Sequence, residues 1–345
     1  MTGPPLRVAI AGLGRIGRTI LRQLAVRPEH RDVEIALATD IADPATLAYL
    51  VRYDSVAGPF PGRAGFEEGP EGARLVLETA AGRRSVPFAR CADLRERDLS
   101  GVDVVLECTG AAMTGASARS GLDAGAGRVL ISGPSPAAEA TAVLGANEGE
   151  ALGRRIVSNA SCTTNALAPL LRLMDEAWGI EHAHMTTIHC YTGSQPMVDA
   201  PRGEDLARSR AGAVSMVPTS TSAARLLGAV LPSLAGRVTG AAVRVPAIGV
   251  SAVDLSARLR RPPEGDAGAA LAALAAGSAV IGAVSDPCVS VDLRGRKESL
   301  VLALPETLAA GRQMRVFGWY DNEWGFSARM IEMARLMAAQ DRGPA

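Results

Sequence analysis

Gly12-Leu13-Gly14-Arg15-Ile16-Gly17 is the stretch from which the fold is read. Before it, Arg7-Val8-Ala9-Ile10-Ala11 is a short β-rich run; after it, Arg18 to Leu24 carries Ile20, Leu21 and Leu24 at helical spacing. A second strand over Val33–Ala38 ends at Thr39-Asp40. Strand, glycine turn, helix, strand and terminal acid make one βαβ unit. Each glycine then has its own task. Gly12 permits the tight turn, Gly14 lets the backbone approach a pyrophosphate, and Gly17 lets helix and strand pack closely, with the helix N-terminus holding the phosphate charge. Asp40 lies 23 residues past Gly17, where an acid binds ribose hydroxyls. Its charge repels a 2′-phosphate, which favours NAD and leaves NADP as the poorer alternative. The competing reading is a chance turn in a chain with 37 glycines; the strand before and the helix after count against it.

Working outward, strands at Val102–Leu106 and Arg128–Ser132 alternate with Ala/Gly-rich helical stretches, the rhythm of a doubly wound parallel sheet. The texture changes near 156–165, where a long helical run leads to Trp178 with Pro169 inside it. Longer strands are predicted at His184–Tyr191, Arg237–Val245, Val250–Arg260 and Cys288–Leu293, suggesting a second α+β domain with a mixed or antiparallel sheet. Residues 192–213 read as a long ordered loop, and 267–277 as plain helix. The expected division is a Rossmann domain over 1–161, completed by a C-terminal helix at 323–345, and a catalytic domain over 162–322.

Composition narrows the function. The 345 residues suggest two domains at roughly 150 residues each. With 48% hydrophobic and 21% charged residues there is material for a real core, and 36 basic against 36 acidic residues disfavour nucleic acid or an anionic membrane as partner. No apolar stretch reaches a membrane span, and Met1-Thr2-Gly3-Pro4-Pro5 lacks a signal-peptide pattern, so the expected compartment is the cytoplasm. Lys297 is the one lysine and Glu298 follows it, so there is no Walker A motif. Five widely spaced cysteines and four histidines make no zinc pattern, and no metal is expected.

Cys162 lies between Ser161 and Thr163 at the start of a helix, whose N-terminal field lowers a thiol pKa. The alternative is a Ser/Thr cap around an inert buried cysteine. His189 ends a strand, and His189 and Cys190 point to opposite sides of it. A cysteine and a histidine brought together from different elements form a nucleophile–base pair. Arg244, inside the apolar run Ala242–Val245, needs a partner, either an internal carboxylate or a phosphate. Thr219-Ser220-Thr221-Ser222 before a helix serves as cap, anion site or both.

At this point the chain resembles the phosphorylating glyceraldehyde-3-phosphate dehydrogenases over nearly its whole length. Ser158-Asn159-Ala160-Ser161-Cys162-Thr163-Thr164-Asn165 is similar to their active-site octapeptide. Thr186–His189 with Tyr191-Thr192, Arg244-Val245-Pro246, Trp319–Gly325, Gly14–Arg18 and Tyr53–Val56 agree in order and spacing. The resemblance implies Cys162 as nucleophile and His189 as base. It implies Gly12, Gly14, Arg15, Ile16, Gly17, Asp40, Arg90, Ser132 and Asn322 around NAD. Ser161, Thr163, Thr221 and Arg210 are implied at the site of the attacking inorganic phosphate, and Thr192 and Arg244 at the aldehyde's own phosphate. It further implies a role in glycolysis and a homotetramer, with loop 192–213 lining a neighbouring subunit's cofactor site. Ser222 in place of a glycine, Ala200 in place of a leucine, and Ala11, Gly249 and Phe326 depart from the common pattern and bear on substrate and cofactor strictness. Two alternatives stay open: a dehydrogenase of another phosphorylated aldehyde such as erythrose 4-phosphate, and a non-catalytic NAD-binding regulator.

Overall fold

The computed structural model describes residues 4–69, 72–112, 114–202 and 205–339. Two compact units emerge. One holds the chain up to Ala142, Glu148–Ala160 and the chain from Ser327 onward; the other holds Val143–Asn147 and Ser161–Phe326. Ser161 thus goes with the helix it caps. Residues 340–345 of the expected C-terminal helix lie outside the described residues.

In the first unit the chain runs β1 (Leu6–Ala11), α1 (Arg15–Val26), β2 (Val33–Asp40), α2 (Pro44–Arg52), β3 (Gly62–Gly69), β4 (Gly72–Thr79), β5 (Gly82–Arg90), β6 (Val104–Glu107), α3 (Gly115–Asp123), β7 (Arg128–Ile131), β8 (Ala140–Thr141) and β9 (Ile156–Ser158). The sheet order is β3-β4-β5-β2-β1-β6-β7-β9-β8. From β5 to β8 every pairing is parallel, whereas β3, β4 and β5 form an antiparallel meander. Central strands β6 and β7 are buried along their whole length, as expected of parallel strands covered on both faces. The order reverses at β1, which pairs with β2 on one side and β6 on the other; a crevice therefore opens beyond the carboxyl ends of these strands.

The second unit contains α4 (Cys162–Trp178), β10 (Ile180–Cys190), β11 (Val217–Thr219), α5 (Ala223–Val230), β12 (Val238–Val245), β13 (Ser251–Leu259), α6 (Ala267–Ala276), β14 (Ile281–Val284), β15 (Leu300–Ala303), β16 (Leu308–Ala310) and β17 (Gln313–Tyr320); α7 (Trp324–Ala339) begins in it. Its sheet runs β11-β12-β10-β13-β17-β15-β14 with β16 on β17, and is mixed: β10 is parallel to β12 and antiparallel to β13. The helix α4 continues through Pro169.

The strand expected at Cys288–Leu293 is not one. Ser290–Leu293 is a 3-10 turn, because Asp292 Oδ2 accepts the Val289 N–H at 2.8 Å and the Asp292 N–H bonds back to the Val289 carbonyl. A short acidic side chain offers the backbone this local alternative to a ladder. Val289 and Val291 are both exposed.

His30 closes a 3-10 turn between α1 and β2 and is buried. Its Nδ1 accepts from Arg335 Nη2 at 3.0 Å, and Arg335 also binds Asp32 at 2.7 Å. Burial, then the Arg335 charge, pushes the imidazole down to about 4. Between that value and the ordinary 6.5 the unfolded chain binds the extra proton, so stability rises with pH through this window. His30 therefore contributes about 2–3 kcal/mol that is fully present above pH ~6.5 and is lost as pH falls toward ~4. Melting temperature measured across that range should fall steeply for the native chain. In His30→Gln, which keeps an acceptor for Arg335 and does not titrate, the slope should be flatter.

Candidate active site

Ser161 caps α4. Its Oγ accepts the Thr164 N–H at 3.1 Å and lies 2.8 Å from Thr164 Oγ1. Ala160, just before it, has φ of 55°, a left-handed backbone uncommon outside glycine. Cys162 is thereby the first residue of the helix and only partly buried.

Its Sγ faces Nε2 of His189 at 3.6 Å. His189 reaches this place from the penultimate position of β10, where Arg244 on β12 is its register partner. The imidazole Nδ1 is 2.7 Å from the Cys190 carbonyl and 2.7 Å from Arg244 Nη1; Arg244 Nη1 also donates to that carbonyl at 3.0 Å. Nδ1 can donate to the carbonyl or accept from the guanidinium, one at a time. Burial and then the Arg244 charge bring His189 down to about 4. Burial pushes the Cys162 thiol up, with Arg244 and the hydroxyl and N–H of Thr163 pulling the other way. For both groups burial disfavours the charged form.

Beneath the pair lies a residue that sequence reading assigned no role. Tyr320 Oη sits 2.9 Å from Thr163 Oγ1 and 2.8 Å from Thr187 Oγ1, and its ring meets His189 edge-on at 5.9 Å. Thr187 donates onward to the Ala252 carbonyl at 3.1 Å. The one signal available was period-two alternation along β17, which points Tyr320 inward with Met314, Val316 and Gly318.

The remaining phosphate-site candidates are held separately. Arg210 pairs with Asp199 at 2.7 Å, both largely exposed. Thr192 Oγ1 is 2.9 Å from Ser194 Oγ. Thr221 Oγ1 accepts the Ala223 N–H at 3.2 Å, and Ser222 occupies the N-cap of α5 without a side-chain cap bond. Asn322 is tied to Cys190 and Ser251 by its Oδ1.

In the first unit the crevice is a cavity of about 770 Å3, lined by Gly12, Gly14, Asp40, Ile41, Glu107, Thr109 and neighbouring residues. A Cβ on Gly12 would lie 2.8 Å from the Thr109 nitrogen, and one on Gly17 only 2.0 Å from the Gly12 carbonyl oxygen. Gly14 is different: its nearest neighbour would be the Cys108 oxygen at 4.0 Å. Protein packing requires glycine at 12 and 17; the space beside Gly14 is open. Asp40 ends β2 and accepts the Leu13 N–H at 2.7 Å and the Ala42 N–H at 2.8 Å, which fixes its carboxylate in the cavity wall. Arg90 pairs with Asp40 across β5 and β2 and donates to the Ile41 carbonyl at 2.8 Å. Arg15 opens α1 and binds Asp54 at 2.6 Å; Ile16 follows it. Ser132 follows β7 and donates its N–H to the Glu107 carbonyl at 2.9 Å. Glu107, also unnoticed in the sequence, is buried, accepts the Thr109 N–H at 3.0 Å, and has its carboxyl pushed up by burial. These residues fit a dinucleotide. Among the described residues no group of His, Cys, Asp and Glu could hold a metal ion, and no helix is long and apolar enough to cross a membrane.

A glycine-built dinucleotide crevice in one unit and a cysteine–histidine pair in the other fit an NAD-dependent dehydrogenase. Residues 6–115 match the model of the glyceraldehyde 3-phosphate dehydrogenase NAD binding domain, and residues 161–322 match that of the C-terminal domain. Glyceraldehyde-3-phosphate dehydrogenase from Pseudomonas aeruginosa is 44% identical, covering 97% of this chain and 98% of its own. The enzymes of that name from Kitasatospora aureofaciens and Xanthobacter flavus are 42% and 41% identical, covering 97% and 96% of this chain and 99% and 98% of theirs. The chain belongs to the glyceraldehyde-3-phosphate dehydrogenase family, and its cofactor is NAD.

The glycines separate packing from binding. Gly17→Ala should lower stability by about 1–3 kcal/mol, the cost of overpacking. Gly14→Ala should leave the melting temperature nearly unchanged and weaken NAD binding by about tenfold or more, an effect of about 1.4 kcal/mol upward. Calorimetric NAD titration beside thermal unfolding checks both. Asp40→Gly should raise kcat/KM for NADP relative to NAD; a ratio that does not move would remove Asp40 from the ribose.

Proposed function

We propose that the chain oxidises and phosphorylates glyceraldehyde 3-phosphate to 1,3-bisphosphoglycerate through a thiohemiacetal and a thioester on Cys162. The observation that supports this most is the thiol of Cys162, first residue of α4, set 3.6 Å from Nε2 of His189. His189 in the tautomer that donates Nδ1–H to the Cys190 carbonyl leaves Nε2 free as a base. Nε2 takes the S–H proton, and the thiolate bonds to the aldehyde carbon, whose π electrons move to oxygen. The Cys162 N–H and the protonated imidazole stabilise that oxygen, and His189 then holds its proton. The chemistry that NAD supplies when bound is hydride acceptance. Cys162 carries the acyl group as a thioester until inorganic phosphate attacks the carbonyl carbon and the thiolate leaves, giving the acyl phosphate.

Two anion sites serve this sequence, one for the substrate and one for the nucleophile. Thr192 and Arg244 take the aldehyde's phosphate. Drawn to that anion, Arg244 gives up Nδ1 of His189, which favours the base-competent tautomer. Ser161, Thr163, Thr221 and Arg210 receive the attacking phosphate, and Ser222 narrows that site. Gly12, Gly14, Arg15, Ile16, Gly17, Asp40, Arg90 and Ser132 hold the dinucleotide, and Asn322 orients its carboxamide. The working form is a homotetramer; Met197, Val198, Leu206, Val214 and Met216 leave an apolar surface in and beyond loop 192–213 for a second copy.

Steady-state rates with glyceraldehyde 3-phosphate and erythrose 4-phosphate, each with NAD and phosphate, test the substrate; a higher kcat/KM for the tetrose would overturn the triose assignment. Cys162→Ser should abolish oxidation while NAD still binds, because a serine hydroxyl does not ionise near neutral pH. His189→Asn should lower kcat about a hundredfold or more, the size of a general-base contribution.

A further inference from the structure

We propose that Cys190 and Ser251 lock the side-chain amide of Asn322 so that it presents only its N–H donors, making the cofactor site selective for a carbonyl oxygen at the nicotinamide substituent. The inference deepens the reading above, since it rests on Asn322 meeting the carboxamide.

Three neighbouring strand ends converge on the lock. Cys190 closes β10, Ser251 opens β13, and Asn322 stands two residues past β17. Cys190 Sγ is 3.2 Å from Asn322 Oδ1, and Ser251 Oγ is 3.3 Å from the same atom. Both donors are almost wholly enclosed, each 1% exposed. A count of protons fixes the amide's orientation. Ser251 Oγ already accepts the Cys190 N–H at 3.1 Å, so its hydroxyl proton must go elsewhere. The Cys190 thiol, pushed up to about 11 chiefly by burial, keeps its proton as well. Two protons therefore need an acceptor, and Oδ1 has two lone pairs. With the amide reversed, the hydroxyl could turn to the sulfur, but the S–H would be left with no acceptor in a dry site.

The backbone is arranged to the same end. Val250, immediately before Ser251, has φ of 62°, a genuine outlier for a β-branched residue. Strain of this kind persists where surrounding structure over-determines it, and here it delivers Ser251 Oγ to its two partners. Asp321 fixes the turn on the other side, accepting the Glu323, Trp324 and Gly295 N–H groups. What is left is Asn322 Nδ2, to which no described side chain or backbone group is bonded. Cys190 and Ser251 are thus positioning residues; they touch Asn322 and not the reacting atoms.

The test uses the full-length protein and two dinucleotides, NAD and its 3-acetylpyridine analogue, which keeps the carbonyl and lacks the amide N–H. Dissociation constants for both are measured by calorimetry on the same preparation, so that the active fraction cancels in their ratio. Asn322→Asp presents acceptors only. NAD can turn its amide N–H toward them and the analogue cannot, so the ratio should shift about tenfold against the analogue, one hydrogen bond's worth. The Cys190→Ala/Ser251→Ala double variant frees the amide. Its ratio should shift the same way by about twofold, the factor for an amide divided equally between two orientations. Cys190→Ser keeps a donor and should restore the native ratio. Independently of any cofactor, the infrared S–H band of Cys190, identified by its loss in Cys190→Ala, should lie at the lowered frequency of a hydrogen-bond donor and rise in Asn322→Ala. A band at the free-thiol frequency, or an unchanged ratio in the double variant, overturns the lock. An unchanged ratio in Asn322→Asp overturns instead the reading that Asn322 meets the carboxamide, and the selectivity with it. Should the double variant not fold, Ser251→Ala takes its place in the same comparison.

Discussion

The hydroxyl of Tyr320 seats the first turn of α4 on the sheet, and the placement of the thiol follows from it. Thr187 donates to the Ala252 carbonyl, so it must accept from Tyr320; Tyr320, its proton spent, accepts from Thr163. The chain of donors has one direction and ends on a backbone acceptor. Each link contributes about 1 kcal/mol net, and breaking one strands a buried hydroxyl at about 1–3 kcal/mol. The group enforcing this is fully enclosed and edge-on to His189, so the same ring that anchors the helix also limits where the imidazole can lie. Cys162 is adjacent to Thr163. A shift of the helix by a fraction of an ångström would cost hydrogen bonds before it changed the sulfur–nitrogen distance appreciably.

On the dinucleotide side the constraint is steric. The Gly12–Gly17 turn closes because a carbonyl and an α-carbon meet where no side chain fits. That closure brings the N-terminus of α1 up to the end of β2, where Asp40 receives the Leu13 N–H. Fixing the turn and aiming the acid are one event. Gly14, by contrast, relieves no internal clash, and a Cβ there would stand in open space.

This division explains what the sequence could yield. The glycine turn, its flanking strand and helix, and the acid at the end of β2 are local in the chain, and local patterns are readable. The doubly wound parallel sheet followed from them and from the strands alternating with helices after them, and the mixed sheet of the second unit from the longer strands beyond His184. The antiparallel meander β3–β5 went unread because exposed charged residues such as Arg63, Glu67, Glu68 and Arg83 interrupt the apolar alternation of its strands. Cys288–Leu293 is a turn and not the expected strand because one side chain, Asp292, captures the Val289 N–H, a contact the run of residue types does not display. Arg244 illustrates a third limit. Its need for a partner was visible, but the partner proved to be an imidazole and a carbonyl rather than a carboxylate, and that depends on the register of β10 against β12.

Strand alternation carries the deepest consequence. His189 and Cys190 are consecutive, so the pleat sends their side chains to opposite faces. One face meets the thiol of Cys162, the other meets Asn322. Their backbones are joined as well: the Cys190 carbonyl receives the His189 ring, and the Cys190 N–H is received by Ser251. The two peptide groups of one residue, Cys190 at the end of β10, therefore reach both the His189 imidazole and the hydroxyl that aims the amide. A substitution at Cys190 that moved its backbone would disturb both sides together. One that only removed the thiol proton would disturb the amide alone, because the histidine is held by a backbone oxygen that every residue possesses.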